Sequence, residues 1–271
     1  MQSAGAIGVF DSGVGGLSVL HHIRQTLPHE RLIYVADSGH VPYGDKSPAY
    51  IEQRSQTLAR FLISQGADAI VIACNTATAA AVASLRSRFD LPIVGMEPAV
   101  KPAVAATRSG VVGVLATIGT LESARFAALL ERYGEEVEIV TQGCPGLVEQ
   151  VELGELRSAR TRELIERYTA PLLHRGADTL ILGCTHYPFL AALIHEVVGD
   201  KITLVDTGAA VARQLQRRIE TELPARQTAV HPERATSAQF FTSGDATRAS
   251  RIMSTLWNGT VVARQLPPEF L

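Results

Sequence analysis

Short apolar runs alternate with longer amphipathic segments along almost the whole chain. Gly, Pro or polar turn residues bound each run, as expected of short buried β-strands. Strands that alternate with helices predict βαβ units and a mostly parallel sheet covered by helices. The predicted strands are 7–10, 31–36, the run that ends at Cys74, 92–95, 111–117, 137–140, the run that ends at Cys184, 202–205 and 238–242.

The amphipathic segments predict the helices between these strands. One begins at Pro48, where a first-turn proline suits a helix start. The polar stretch 221–236 predicts an exposed loop, and 245–257 predicts a closing helix after the last strand. The other helices are predicted up to residue 25, over 76–89, from residue 97, over 121–133, within the loop-helix region 144–153, over 158–175, from residue 188 and over 209–220.

One segment of the chain occurs twice. GADAIVIACNT begins at Gly66, and GADTLILGCTH begins at Gly176. The offset is 110 residues (184 − 74), so Cys74 in the first copy matches Cys184 in the second. Ligands of open parallel sheets bind outside the carboxyl ends of the strands. The repeat therefore predicts two thiols at equivalent positions beside a ligand.

The restart of the pattern predicts the domain organisation. We expect an α/β protein with two similar open, mostly parallel-sheet lobes, which are related by a pseudo-twofold axis. Residues 1–97 together with 208–271 are expected to form one lobe, and residues 98–207 the other. Clefts between such lobes are favoured places for small-molecule sites, so the active site is expected there.

Composition excludes several classes of protein. The 271 residues are 46% hydrophobic, enough for a proper core, and the net charge of −2 offers no basic field for nucleic acid or anionic membrane. No apolar run approaches the ~20 residues that span a bilayer, and the first residues lack the basic segment of a signal peptide. Three cysteines form no disulfide framework. We expect a cytoplasmic protein with reduced thiols.

A cysteine at a strand end is most often a small core residue, and Cys144, which has no counterpart in the repeat, is interpreted in that way. The repeated cysteines are followed by Asn75-Thr76 and Thr185-His186, where the next helices are expected to begin. Hydroxyl, amide and free backbone N–H groups at such a place suit an anionic ligand. A helix N-terminus is also expected to lower the pKa of a thiol and favour the thiolate.

Four uses of the cysteine pair can be compared. A redox disulfide favours C-x-x-C spacing, which is absent from this sequence. A zinc site would need further ligands such as Cys144 and His186, without metal-type spacing between them. A single nucleophile accounts for one cysteine only. Two acid/base groups on opposite faces of one carbon account for both, since one thiolate removes a proton and the opposed thiol returns one.

Other motifs point to a known family. They are Asp11–Val19, Val41–Gly44, Ala73–Thr78, Glu97–Ala99, Leu115–Thr120, Val151–Gly154, Leu182–Pro188 and Thr242–Asp245. With them the chain resembles the glutamate racemases, within the cofactor-independent aspartate/glutamate racemase superfamily. The resemblance runs in order over nearly the whole chain and is weakest at 221–237 and in the last ten residues.

The resemblance implies interconversion of L- and D-glutamate without pyridoxal phosphate or metal, with D-glutamate entering peptidoglycan precursors. It implies a homodimer, whose geometry differs between family members. Cys74 would take the α-proton from D-glutamate, assisted by Asp11, and Cys184 would take it from L-glutamate, assisted by His186 and Glu152. Asp11 and His186 would also contact substrate, together with Ser12, Tyr43, Gly44, Asn75, Thr76, Thr117, Thr120 and Thr185.

Each of these residues has an ordinary structural alternative. Asp11 and the threonines could be helix caps, Glu152 a solvated helix residue, and His186 a packing residue. A racemase of the same superfamily could act on aspartate or a hydantoin instead. A two-lobed binding protein is disfavoured by the paired cysteines. A pyridoxal-phosphate enzyme is disfavoured because no lysine lies at a predicted strand end facing the cleft.

Overall fold

The computed structural model of the protein describes residues 5–134, 137–224 and 237–271. Its strands are β1 (Ala6–Asp11), β2 (Leu32–Ala36), β3 (Ala67–Ile72), β4 (Ile93–Val94), β5 (Val111–Ala116), β6 (Glu138–Gly143), β7 (Thr179–Leu182), β8 (Thr203–Val205), β9 (Ala238–Thr242) and β10 (Ala263–Gln265). Its helices are α1 (Leu17–Thr26), α2 (Pro48–Ser64), α3 (Asn75–Arg88), α4 (Val100–Ala106), α5 (Ile118–Leu121), α6 (Ala124–Tyr133), α7 (Leu147–Leu153), α8 (Ala159–His174), α9 (Ala191–Val198), α10 (Gly208–Glu222) and α11 (Ala246–Trp257). Short 3₁₀ helices lie at Tyr43–Asp45, Tyr187–Leu190 and Pro268–Phe270.

The strands form two sheets, and their pairings are parallel. The larger sheet has the order β10-β9-β2-β1-β3-β4, and the smaller has the order β6-β5-β7-β8. The run β2-β1-β3-β4 therefore corresponds strand for strand to β6-β5-β7-β8. This confirms the predicted α/β class with two open parallel sheets, and it shows that the sequence repeat is also a repeat of topology.

Each sheet forms a lobe together with the helices around it. The six-stranded lobe is the larger sheet with helices α1, α2, α3, α10 and α11, which pack on it or on one another. The four-stranded lobe is the smaller sheet with helices α4 to α9. Since helices cover both faces of a parallel sheet, its central strands are continuous apolar runs. Strands β1 and β2 are buried at every position.

Several helix starts follow from local capping. Ser47 accepts a hydrogen bond from the Tyr50 amide at the start of α2, with Pro48 in the first turn. The helix predicted over 121–133 is divided in the structure. Thr117 caps the short α5, and Ser123 caps α6 through the Phe126 amide.

The structure corrects three further sequence expectations. Strand β9 is not the last, because Ala263–Gln265 adds β10 by parallel pairing with Phe240–Thr242. Two of its three residues are exposed, so no apolar pattern marks it. The predicted loop 221–236 begins too early, since α10 continues to Glu222, and 225–236 lie outside the described residues. The helix predicted from residue 188 begins as a 3₁₀ turn. None of the helices in the described ranges is long and apolar enough to cross a membrane.

Candidate active site

Both repeated cysteines line one cavity between the two lobes. Cys74 follows β3 and Cys184 follows β7, at the carboxyl ends of corresponding strands. The free space inside is about 10 Å³, which is room for roughly one water molecule. The cavity is lined by Ser12, Pro42, Tyr43, Gly44, Cys74, Asn75, Thr76, Thr117, Val148, Gly183, Cys184, Thr185 and His186.

Ten of the thirteen predicted site residues line this cavity. The other three are Asp11, Glu152 and Thr120, and each is hydrogen-bonded to a lining residue. The structure therefore brings together the whole predicted set. Pro42, Val148 and Gly183 also line the cavity. Sequence reasoning did not single them out, because apolar and turn residues carry no chemical signal of their own.

Cys74 lies at the N-terminus of helix α3. Its Sγ accepts a hydrogen bond from the Ala77 amide at 3.4 Å, so the thiol itself caps the helix. The thiol also lies 3.8 Å from the Ser12 hydroxyl, which in turn lies 3.4 Å from the Asp11 carboxylate. In the hydrogen bonds of the described residues, Asp11 is therefore linked to Cys74 through Ser12 and not directly.

The pKa of Cys74 corrects an expectation from the sequence. Burial, and next the negative charge of Asp11, raise the pKa of the Cys74 thiol far above its ordinary value. The Ala77 N–H at the helix N-terminus acts in the expected, lowering direction but is outweighed. Desolvation disfavours the charged form of any acid. Burial and Asp11 therefore favour the neutral form of the Cys74 thiol, which is suited to donating a proton.

Asp11 ends strand β1 and is fully buried. One carboxylate oxygen accepts hydrogen bonds from the amides of Gly16 at 2.8 Å and Gly13 at 3.4 Å. The other oxygen accepts from the Thr185 hydroxyl at 3.4 Å, across the lobe boundary. Burial raises the pKa of Asp11 despite the positive influence of His186. Asp11 thus organises the glycine-rich turn of its own lobe and also faces the cavity wall opposite.

A charged pair stands beside Cys184. His186 Nδ1 lies 3.6 Å from the Cys184 Sγ, and His186 Nε2 lies 2.7 Å from Glu152 Oε1. His186 is buried, and the Glu152 side chain is only 11% exposed. Burial alone would lower the pKa of the imidazole, but its hydrogen bonds with Cys184 and Glu152 raise that pKa well above the ordinary value. The imidazolium is therefore favoured next to this thiol.

Glu152 is also held by the opposite lobe. It belongs to α7 of the four-stranded lobe, yet its Oε1 accepts the Val14 amide at 2.6 Å and its Oε2 accepts the Ser38 hydroxyl at 3.3 Å. Val14 and Ser38 both belong to the six-stranded lobe. The sequence did not predict either residue as part of the site, because nothing about a backbone amide or a loop serine indicates a hydrogen-bond partner so distant along the chain.

Three threonine hydroxyls form a cluster across the lobe boundary. Thr76 of α3 lies 2.9 Å from Thr117 and 3.1 Å from Thr120, measured between the Oγ1 atoms, and Thr117 lies 3.0 Å from Thr120. Thr117 is also the N-cap of α5, in agreement with the alternative interpretation of this threonine as a helix cap. The cluster provides adjustable hydroxyl donors and acceptors on the Cys74 side of the cavity.

Asn75 has a buried amide whose oxygen and nitrogen make no hydrogen bond to the described residues. A buried amide of this kind is costly unless it is satisfied by a ligand or water. Asn75 lines the cavity next to Cys74. The arrangement thus offers the N–H donors and the carbonyl acceptor of this amide to a polar ligand between the thiols.

Tyr43 lies in a 3₁₀ helix, lines the cavity and is held in place by residues of its own lobe. Its hydroxyl donates to the Asp37 carboxylate at 2.6 Å, and Arg54 pairs with the same carboxylate at 2.7 and 3.1 Å. Burial raises the pKa of Tyr43 well above its ordinary value. Gly44 follows, and a side chain there would approach Thr117 of the other lobe within 3.0 Å. Asp37 and Arg54 were not predicted as part of the site.

Cys144 lies apart from this chemistry. It is buried in the core, and its thiol donates to the Gln142 carbonyl at 3.3 Å. Burial raises the pKa of the Cys144 thiol to about 12. The geometry agrees with a core cysteine.

Comparison with known proteins shows which family shares this architecture. The Asp/Glu/Hydantoin racemase family matches residues 7–215. The chain is similar to the glutamate racemase of Ectopseudomonas mendocina, with 61% identity over 257 residues that cover 94% of this chain and 95% of the relative.

Solved structures show the same likeness. The Escherichia coli glutamate racemase, in complex with L-glutamate and the activator UDP-MurNAc-Ala, has a TM-score of 0.84 at 32% identity, covering 97% of this chain and 98% of that one. The Francisella tularensis glutamate racemase, in complex with D-glutamate, has a TM-score of 0.82 at 25% identity, covering 97% and 98%.

Proposed function

The chain belongs to the Asp/Glu/Hydantoin racemase family, and within it we propose that the protein interconverts L- and D-glutamate with two opposed cysteines. One observation carries the proposal: the two thiols of the repeat lie at equivalent strand ends and line the same small cavity. Two opposed acid/base groups account for a reaction that runs equally well in both directions, because each face of the substrate carbon then has its own proton acceptor. The identity to glutamate racemases over nearly the full chain supports glutamate as the substrate.

In the proposed reaction a thiolate removes the proton from Cα and becomes a thiol. The electron pair stays on Cα as a carbanion conjugated with the α-carboxylate. The opposed thiol then gives its proton to the other face and becomes a thiolate, which inverts the centre. Cys184 acts as the base toward L-glutamate and Cys74 toward D-glutamate, as the family resemblance implies. General acid/base catalysis contributes roughly 10²- to 10⁴-fold for each group.

The charge state of the thiols fits this cycle. Cys74 is favoured as the neutral thiol by burial and by Asp11, so it is ready to donate a proton when L-glutamate is the substrate. The substrate ammonium brings a positive charge into the cavity, and a nearby cation favours a thiolate. On the other side, His186 Nδ1 lies 3.6 Å from the Cys184 Sγ, and the raised pKa of His186 favours a positive charge beside the sulfur that takes the proton in the first step.

Uncharged groups in the cavity hold the polar ends of the substrate. The unpaired amide of Asn75 and the hydroxyls of Thr76, Thr117 and Thr185 offer donors to a carboxylate and acceptors to an ammonium. Donors placed around the α-carboxylate stabilise the negative charge that develops there in the transition state, which is commonly the largest catalytic contribution.

Substrate entry requires the lobes to separate. A cavity of about 10 Å³ cannot admit an amino acid. We infer that residues 1–97 with 208–271 and residues 98–207 move as two units about the two chain crossings between them. Closure then excludes water from the carbanion. From the family resemblance we further infer cytoplasmic action as a homodimer, independence of pyridoxal phosphate, and supply of D-glutamate for peptidoglycan precursors.

The direct test uses purified protein in D₂O with L-glutamate and, separately, D-glutamate. Optical rotation and the loss of the Cα proton signal in NMR are followed together, with both enantiomers of aspartate as controls. We expect both glutamate enantiomers to invert with deuterium at Cα and aspartate to stay unchanged. Absence of inversion for glutamate overturns the proposal, and inversion of aspartate instead reassigns the substrate.

A further inference from the structure

The glycine-rich turn of the six-stranded lobe contacts the charged pair beside Cys184. A Cβ atom built on Gly13 would lie 1.9 Å from Glu152 Oε1, and one built on Gly15 would lie 2.3 Å from His186 Nδ1. Neither glycine has a left-handed φ, so the backbone does not require glycine there. The two positions lack a side chain because side chains from the opposite lobe occupy that space.

The turn is held in place within its own lobe. The Asp11 carboxylate accepts the amides of Gly13 and Gly16. The buried Tyr34 hydroxyl donates to the Gly13 carbonyl at 2.7 Å. These bonds do not involve the four-stranded lobe. The turn, and the space in which it receives Glu152 and His186, are therefore expected to persist when the lobes separate.

The same turn supplies a hydrogen-bond donor to the pair. The Val14 amide donates to Glu152 Oε1 at 2.6 Å, and His186 Nε2 lies 2.7 Å from that same oxygen. Ser38, from the next loop of the six-stranded lobe, donates to Oε2. The orientation of the Glu152 carboxylate, and through it that of the His186 ring, thus depends on groups that reach it only when the lobes meet.

We propose that Gly13, Val14 and Gly15 are positioning residues for the proton-transfer group that Cys184, His186 and Glu152 form. Lobe closure places the side chains of Glu152 and His186 against this turn. When the lobes part, Glu152 loses the Val14 amide and becomes hydrated. The imidazole then loses its fixed direction toward Cys184, so the two groups are aligned for proton transfer only around an enclosed substrate. The inference deepens the proposed function and rests on it for its kinetic test.

The test compares three alanine substitutions of glycine. Gly13→Ala and Gly15→Ala add a methyl group against Glu152 and His186. Gly44→Ala is the control on the Cys74 side, because its Cβ would meet Thr117 at 3.0 Å, a milder contact at the same lobe boundary. All three substitutions place a methyl group between lobes without a left-handed φ. They differ in which thiol they approach.

The readout is the deuterium isotope effect on kcat/KM with L-[2-²H]- and D-[2-²H]-glutamate. The enantiomers have equal free energy, so any variant must lower kcat/KM equally in both directions, and only isotope effects report which proton transfer has slowed. Gly13→Ala and Gly15→Ala are expected to lower kcat/KM by 10-fold or more, by the general scale of acid/base catalysis (~10²). They should raise the isotope effect for L-glutamate and reduce it for D-glutamate.

Gly44→Ala is expected to lower kcat/KM without that pattern. If Gly13→Ala and Gly15→Ala leave the two isotope effects at their wild-type values, the turn is only a lobe contact and the proposal fails. Ser38→Ala adds no bulk and removes one donor to Glu152. It should change the isotope effects in the same direction as Gly13→Ala but less, which keeps the test decisive if an alanine variant does not fold.

A second measurement is independent of turnover. Histidine titration by ¹⁵N NMR, with the His186 signal assigned by its loss in His186→Asn, is compared between wild type and Gly13→Ala. Displacing Glu152 from the imidazole should lower the pKa of His186. An unchanged titration overturns the positioning role. If the wild type does not invert glutamate, the proposed function fails, and this titration alone decides the inference.

Discussion

The surroundings of Cys74 and Cys184 are equivalent in topology and different in chemistry. Each thiol follows the corresponding strand of its lobe, β3 or β7, and the residue two positions later faces the opposite lobe. After Cys74 that residue is Thr76, which lies within hydrogen-bonding distance of Thr117 and Thr120. After Cys184 it is His186, which is paired with Glu152 and contacts the glycine turn.

The backbone explains part of this difference. Cys74 begins a 14-residue helix and receives a backbone amide from Ala77. Cys184 leads into a 3₁₀ turn and has the His186 imidazole beside it instead. A chiral substrate bound in one orientation presents different groups to its two faces. In the proposed two-base reaction the two thiols are therefore expected to have different surroundings, even where the repeat gives them matching positions.

The largest expected effect comes from removing either thiol. Cys74→Ser and Cys184→Ser should each reduce racemisation by at least ~10²- to 10⁴-fold, since each removes one acid/base group. In D₂O, Cys74→Ser should still exchange the α-proton of L-glutamate, and Cys184→Ser that of D-glutamate, measured by NMR. Exchange of the opposite enantiomers would reverse the assignment of faces. Full activity in either variant would rule out the two-base reaction.

A smaller effect is expected at the two matching positions after the cysteines. His186→Asn should lower kcat/KM by ~10²-fold or more, because in the proposed reaction the imidazole supports proton transfer by Cys184. Thr76→Ala should lower it by about tenfold or less, the value of one or two neutral hydrogen bonds. Steady-state kinetics by circular dichroism measures both. Equal losses of kcat/KM would mean that the surroundings of the two thiols differ in composition, but that catalysis depends equally on both.

Glu152→Gln tests the charge on the Cys184 side. The hydrogen bond to Glu152 helps to raise the pKa of His186, so the neutral amide should lower that pKa. Activity that needs the imidazolium is complete below this pKa and is lost as the pH rises through it. The basic limb of the pH profile of kcat/KM should therefore move to lower pH, with about a tenfold loss at neutral pH on the scale of one charged hydrogen bond. The matched control, Glu149→Gln on the same helix, should leave the limb in place.

The smallest effect on activity is expected at Asp178, the aspartate in the second copy of the repeat. Asp178 accepts the Thr107 hydroxyl and the amides of Arg108 and Ser109. Although burial opposes its charge, these hydrogen bonds hold the pKa of Asp178 well below its usual range. A lowered pKa contributes stability above the unfolded-state value, and that stability is lost as the pH falls.

Asp178→Asn should therefore lower the free energy of unfolding by about 1–3 kcal/mol at neutral pH, and by less in acid, while racemisation of the folded protein stays near wild type. Urea denaturation at two pH values measures the change, and the exposed Asp200→Asn is the control. If folded Asp178→Asn lost much of its racemisation activity, this position of the repeat would also contribute to catalysis, and the chemical difference between the two copies would extend to it.

Much of the fold was predictable because local patterns carry it. The continuous apolar runs of β1, β2 and β3 predict buried parallel strands, and the repeat around the two cysteines predicts matching sheets. Strand β10 was not predictable, because its three residues join β9 by backbone hydrogen bonds and two of them are exposed.

The candidate site was predictable where chemistry and motif coincide. Both cysteines, His186 and the threonines could be named from the sequence, and the structure places them around one cavity. The state of Cys74 was not predictable. A helix N-terminus lowers the pKa of a thiol in isolation, but complete burial and the nearby Asp11 outweigh it here. The extent of burial depends on how the two lobes pack together.

The sequence by itself determined which groups are available and at which strand ends they lie, because strand periodicity, helix starts and the repeat are local properties of the chain. Only the tertiary structure decided which groups meet across the lobe boundary. Glu152 and Val14 are 138 residues apart, and their contact depends on two lobes packing together. The need for glycine at Gly13 and Gly15 has the same origin, since the space that a side chain would fill is taken by the opposite lobe.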